Sequence, residues 1–142
     1  MFSHFLAAQE PVYATVLAEL RAGDKRTHWM WFIFPQLRAL GRSATAQRFG
    51  LEDLAAARAY LAHPVLGARL RECVDIVAAL EGRSAEDIFG GIDALKFRSA
   101  LTLFEAAAAP AEAHRFATAL ARYYGGTRDP LTLELLAGAA RP

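Results

Sequence analysis

Cysteine is all but missing from this 142-residue sequence, where Cys73 stands alone. A lone cysteine closes no internal disulfide, which excludes a small oxidised scaffold of the secreted kind. Lysine is almost as scarce: only Lys25 and Lys96 stand among 16 basic residues, and the rest are arginine. In a composition this rich in Ala and Arg, a surviving lysine is either a neutral remnant or a position that needs an ammonium. Long apolar runs are absent too. The longest run of bulky apolar side chains, Trp29 to Phe34, has six residues, against the roughly 18 that a membrane span needs. The first residues, MFSHFLAAQEPVY, lack the basic start of a signal peptide. These absences lead to the expectation of a soluble, cytoplasmic protein with no membrane partner.

Chemistry that leans on fixed motifs is missing as well. His4, His28, His63 and His114 have no histidine partner four residues away, so a helical zinc pair is not encoded. Neither G-x-x-x-x-G-K nor G-x-G-x-x-G occurs. No metal and no cofactor are expected. Turn dipeptides between alternating apolar runs are lacking, which leaves little β signal.

What is present is apolar and helical. The sequence is 54% hydrophobic and 22% charged, the balance of a packed domain and not of a disordered chain. Its length fits one domain, residues 1–142. Leu66, Leu70, Cys73, Val74, Val77 and Leu80 recur at helical spacing and predict a helix over about 64–81 ended by Gly82. Ser43, Ser84 with Asp87, Asp93 and Asp129 are placed to cap helices. Residues 28–34, HWMWFIF, are too apolar to be amphipathic. They predict a buried helical turn, with a short strand as the alternative. The fold class expected is all-α: a compact single-domain bundle of about seven or eight helices.

Two stretches mix polar and apolar residues in a way that invites a ligand. Residues 21–48 carry six basic side chains against one acid, Asp24, although the net charge of the sequence is only +1. Both tryptophans lie there, beside His28, Gln36, Arg38 and Arg42. Aromatic faces offer stacking area and arginine offers forked donors to phosphate, so a small anionic molecule is the expected partner. A low overall charge argues against nucleic acid. In the second stretch Asp93, Lys96 and Ser99 recur at helical spacing and share a face. The reading with most support is a domain that binds a phosphorylated or nucleotide-derived small molecule, with hydrolysis or transfer at a nucleotide-type bond as its catalytic form. Lys25, His28, Trp31, Gln36, Arg38, Arg42 and Ser99 would then bind, and Asp93 and Lys96 would stand at the reacting centre. The alternative is a protein-interaction module that presents the Trp and Arg surface of residues 24–48. Whether a reaction occurs, and what the oligomeric state is, the residues leave open.

The runs GDKRTHWMWFIFPQLRALGRSATAQRFG, AYLAHPVLGARLREC and DIFGGIDALKFRSALTLF resemble the bacterial domain-of-unknown-function family numbered 1810. The likeness covers nearly the whole sequence and implies an all-helical fold. It also implies that Lys25, His28, Trp29, Trp31, Pro35, Gln36, Gly41, Ser43, His63, Pro64, Gly67, Asp93, Lys96 and Ser99 belong to a family pattern. The serine pair usual after the lysine is Ser99-Ala100 here. Some members are labelled calpastatin-like, yet such an inhibitor is a long disordered chain, which this composition does not describe. A fainter likeness of pattern is to helical domains that act on ADP-ribose derivatives.

Overall fold

The computed structural model describes residues 2–139, and the apolar stripes of the sequence dictate how its helices assemble. The clearest stripe becomes α6, Leu66–Ala79, with Leu66, Leu70, Cys73, Val74 and Val77 all buried. Each such side chain contributes roughly 1.5–3 kcal/mol on leaving water. The helix stops three residues before Gly82, because Leu80 already adopts an extended conformation. At its other end the His63 ring Nδ1 accepts from the backbone N–H groups of Val65 and Leu66, both at 3.2 Å, which satisfies two donors that a helix start leaves orphaned. Cys73 is buried on the stripe, and burial pushes its thiol up to about 12. It is a core residue and not a nucleophile.

Before it stand α1 (Ser3–Gln9), α2 (Tyr13–Ala22), α3 (Met30–Ile33), α4 (Ala44–Phe49) and α5 (Leu54–Ala62). After it come α7 (Ala85–Phe89), α8 (Gly91–Ala107), α9 (Pro110–Tyr124) and α10 (Pro130–Ala139). Helix accounts for 72% of the structure and there are no strands among the described residues. Ten α-helices replace the seven or eight expected. The count rises because Ser3–Gln9 forms a helix of its own and several segments are single turns that local pattern barely announces. The longest helix, α8, is the axis: α5, α7, α9 and α10 pack around it, while α6 bridges α5, α9 and α2. Phe97, Leu101 and Phe104 of α8 are wholly buried.

The aromatic run resolves as the helical turn, not the strand. Trp29, Met30, Ile33 and Phe34 are each at most 2% exposed, while Trp31 and Phe32 are half-buried. The Gln9 amide donates to the Phe32 carbonyl at 2.7 Å, so the buried backbone of the turn is satisfied from α1. Downstream, an isolated parallel bridge joins Leu37 to Leu51. In it Leu51 N–H donates to the Gln36 carbonyl and Arg38 N–H to the Leu51 carbonyl, which fixes the backbone that carries Gln36. No helix of the described residues is long and apolar enough to cross a membrane.

Candidate functional site

Asp93 was expected to cap the helix that follows it. Instead α8 begins at Gly91, three residues earlier than that cap would set it. Gly90 holds φ +80°, a conformation open to glycine at little cost, and the chain turns into the helix at once. Asp93 therefore sits in the first turn with its carboxylate turned to side chains. Both lysines of the protein meet it there. Lys25 Nζ lies 2.8 Å from Asp93 Oδ2, with the lysine side chain only 7% exposed. Lys96 Nζ lies 3.6 Å from Asp93 Oδ1. Each ammonium also stands over an indole: Lys25 at 5.0 Å from the Trp29 ring centre, Lys96 at 4.8 Å from that of Trp31. All lysine and all tryptophan of the sequence thus converge on one carboxylate. Cation–π contact adds roughly 0.5–2 kcal/mol to such an ammonium, most where water is excluded.

The two lysines differ in what they have left to give. Lys25 is enclosed and holds the short contact. Lys96 is more exposed, and its contact is too long for a good hydrogen bond. An ammonium has three donors, so Lys96 keeps most of its capacity. Gln36 borders it: the two residues share the walls of a crevice of about 10 Å³ beside Trp31, room for about one water. They also share those of a groove of about 330 Å³. Arg98 and Ser99 line that groove as well. Arg98 Nη2 approaches Asp129 Oδ1 at 3.5 Å, while Asp129 Oδ2 accepts from Ser99 Oγ, Thr132 N–H and Thr132 Oγ1. Arg98 Nε is buried with no hydrogen-bond partner among the described residues.

The remaining candidates disperse. Ser99 is buried, and its hydroxyl, donated towards the Leu95 carbonyl and Asp129, ties α8 to the start of α10. Arg42 is exposed and lines a second groove against α10. Arg38 is exposed and borders a depression beside Phe2 and His4, apart from the lysines. His28 is exposed and lines neither the crevice nor the grooves. No group of three His, Cys, Asp or Glu side chains is gathered to hold a metal ion among the described residues.

Sequence reasoning passed over two participants, Arg98 and Glu19. Glu19, on α2, receives the N–H groups of Arg26 and Thr27 at 2.8 and 3.0 Å, the Thr27 hydroxyl and the Trp29 indole N–H. That one carboxylate shapes the loop which aims Lys25. Burial opposes its charge, but these donors outweigh burial and hold the carboxyl at about 2. With the folded value below the ordinary one near 4.5, the contribution is full above pH 4.5 and is lost as pH falls towards 2. Glu19→Gln is expected to cost about 1–2 kcal/mol at pH 7, part of the shift being screened by solvent. In urea titrations the gap from the wild type should close between pH 4.5 and 2. A gap independent of pH would mean that the loop does not depend on the ionised carboxylate.

A family model described as "Protein of unknown function (DUF1810)" matches residues 1–136. A conserved hypothetical protein of Mycobacterium tuberculosis, known from a crystal structure, is 52% identical, with a TM-score of 0.92 and 95% of each chain covered. No curated protein matches the chain.

Proposed function

The chain belongs to the family of unknown function DUF1810, and from its own geometry we propose that it binds a small phosphate-bearing molecule at Lys96, Gln36 and Arg98. One observation carries the reading: two ammonium groups are set around a single carboxylate, and the outer one is only loosely engaged. Asp93 compensates Lys25 at short range, which leaves Lys96 as a cation at the mouth of a groove. The Arg98 guanidinium, set against Asp129 only by a 3.5 Å contact, stands in the same walls. An arriving anion would meet two cations with unused donors. The interaction-module alternative is weakened by the burial of Trp29 in the core, where it cannot anchor a partner.

The test is thermal shift and tryptophan fluorescence at low salt with inorganic phosphate, nucleotides, ADP-ribose and sugar phosphates. At least one is expected to raise the melting temperature and change the Trp31 emission. Lys96→Met should weaken that ligand about tenfold or more, since a charge-assisted contact contributes roughly 1.5–3 kcal/mol. Arg38→Met should bind as the wild type does. Stabilisation by none of these compounds, or equal binding by Lys96→Met, overturns the reading.

A further inference from the structure

Resting on that reading, we infer that the ligand is an amphiphile: an anionic head at Lys96 and Arg98 joined to an aliphatic body that runs along α10. The groove that holds the two cations has aliphatic walls, Ile92, Leu95 and Leu131, which are 75%, 59% and 58% exposed. It shares Leu40 and Leu131 with the second groove, of about 700 Å³, so the two adjoin. Leu135 continues the wall there. Among the described residues six large hydrophobic side chains are exposed, and four of them border this one double groove. Scattered exposed leucines need no explanation, whereas a contiguous set marks a binding surface.

Size and wall chemistry name the class. A bare phosphate would leave most of the double groove unused, and ligand clefts of this size are chiefly apolar with a few polar groups. An aromatic body would want a free aromatic face, but Lys96 already stands over Trp31. The open walls are Leu and Ile, which suit a flexible alkyl chain. From Leu131 to Gly138 the wall of α10 runs about 10 Å at 1.5 Å per residue. Lys96 and Arg98 stand at the α8 end with Asp129 beside them, and the wall beyond joins Leu131, Leu135, Ala137 and Gly138 with one charge of each sign, Arg42 and Glu134.

Isothermal titration with ethyl, butyl, hexyl and octyl monophosphate, each kept below its micelle concentration, tests this. The dissociation constant should fall roughly two- to fourfold per added methylene, fourfold being the limit set by about 0.8 kcal/mol per buried CH₂. Leu131→Ser, at an exposed position on the wall shared by both grooves, should flatten the dependence on chain length. Lys96→Met should weaken every member alike. If nucleotides or sugar phosphates bind but chain length has no effect, the amphiphile is wrong and the anion site stands. If no phosphate compound binds at all, both fall. If Lys96→Met binds every member of the series as tightly as the wild type does, the inference is overturned, because the alkyl groups would then be coating an apolar surface. So does binding to vesicles of phosphatidylcholine and phosphatidic acid without binding of the dissolved series, which would make this face a bilayer contact. A wild-type dimer that Leu131→Ser dissociates would assign the face to a second copy and overturn it as well.

Discussion

Gly67→Ala is expected to cost the protein about 4 kcal/mol, seen as a large drop in the urea midpoint. Gly67 is buried where α6 starts against the end of α5, and a Cβ there would lie 2.1 Å from the Leu61 carbonyl oxygen. That oxygen is backbone and is already held by the Arg71 guanidinium at 3.1 Å. It cannot swing aside as a side-chain tip could. Relief requires α6 to slide off α5, which would disturb the packing of Leu66 and Leu70. Overpacking typically costs 1–3 kcal/mol and more where backbone must move, and values near 4 are kept for such cases. Gly91→Ala is the control. Its Cβ would meet nothing within 4 Å, so a gain of about 0.5 kcal/mol is expected from the stiffer unfolded chain. If the two variants behave alike, the close approach at Gly67 is misjudged.

Asp93→Asn is the second large effect, at about 3 kcal/mol. Removing one partner of a buried pair strands the other charge, at a typical cost of 3–5 kcal/mol, and Lys25 is the residue stranded. The lower end applies because Asp93 itself keeps 19% of its side-chain exposure. A second substitution separates a stranded charge from simple loss of a contact. Lys25→Met in the Asp93→Asn background should recover most of the loss, since the ammonium without a counterion is then gone. Lys96→Met alone should cost under about 1 kcal/mol, as its contact is long and partly solvated. That asymmetry separates the roles: Lys25 with Asp93 builds the floor, and Lys96 faces the groove. A Lys96→Met loss as large as that of Asp93→Asn would make the whole cluster structural.

What could be read without coordinates was local. The stripe of α6 and the serine caps, Ser43 accepting from Ala46 N–H and Ser84 with Asp87 in a reciprocal box, follow from neighbours three and four residues apart. Asp93 misled because aspartate before a helical stripe is ordinarily a cap, and nothing in the letters shows that Gly90 turns the chain early. Glu19 was illegible for another reason. Its partners lie seven to ten residues ahead, in a loop whose shape exists only because Glu19 gathers those N–H groups. The scarcity of lysine was the better guide. It marked two residues 71 apart whose ammonium groups meet on one carboxylate, while the charge excess of residues 21–48 also pointed to Arg38, which borders a separate depression, and to Arg42, which lines the adjoining groove along α10.

The confinement of lysine to that cluster also makes the molecule its own reporter. Within this sequence a lysine-specific endoprotease has two cleavage points, after Lys25, which Asp93 holds at short range, and after Lys96, which rests more loosely on the same carboxylate, each ammonium also standing over an indole. Native digestion by that enzyme therefore clocks the opening of one small region, whereas trypsin, with arginines all over the surface, averages over the whole fold. Amine-directed acylation is equally selective: its side-chain targets are these two positions, and Lys96 is the more exposed of them, so a coupling or crosslinking chemistry chosen for convenience would neutralise the ammonium that faces the groove.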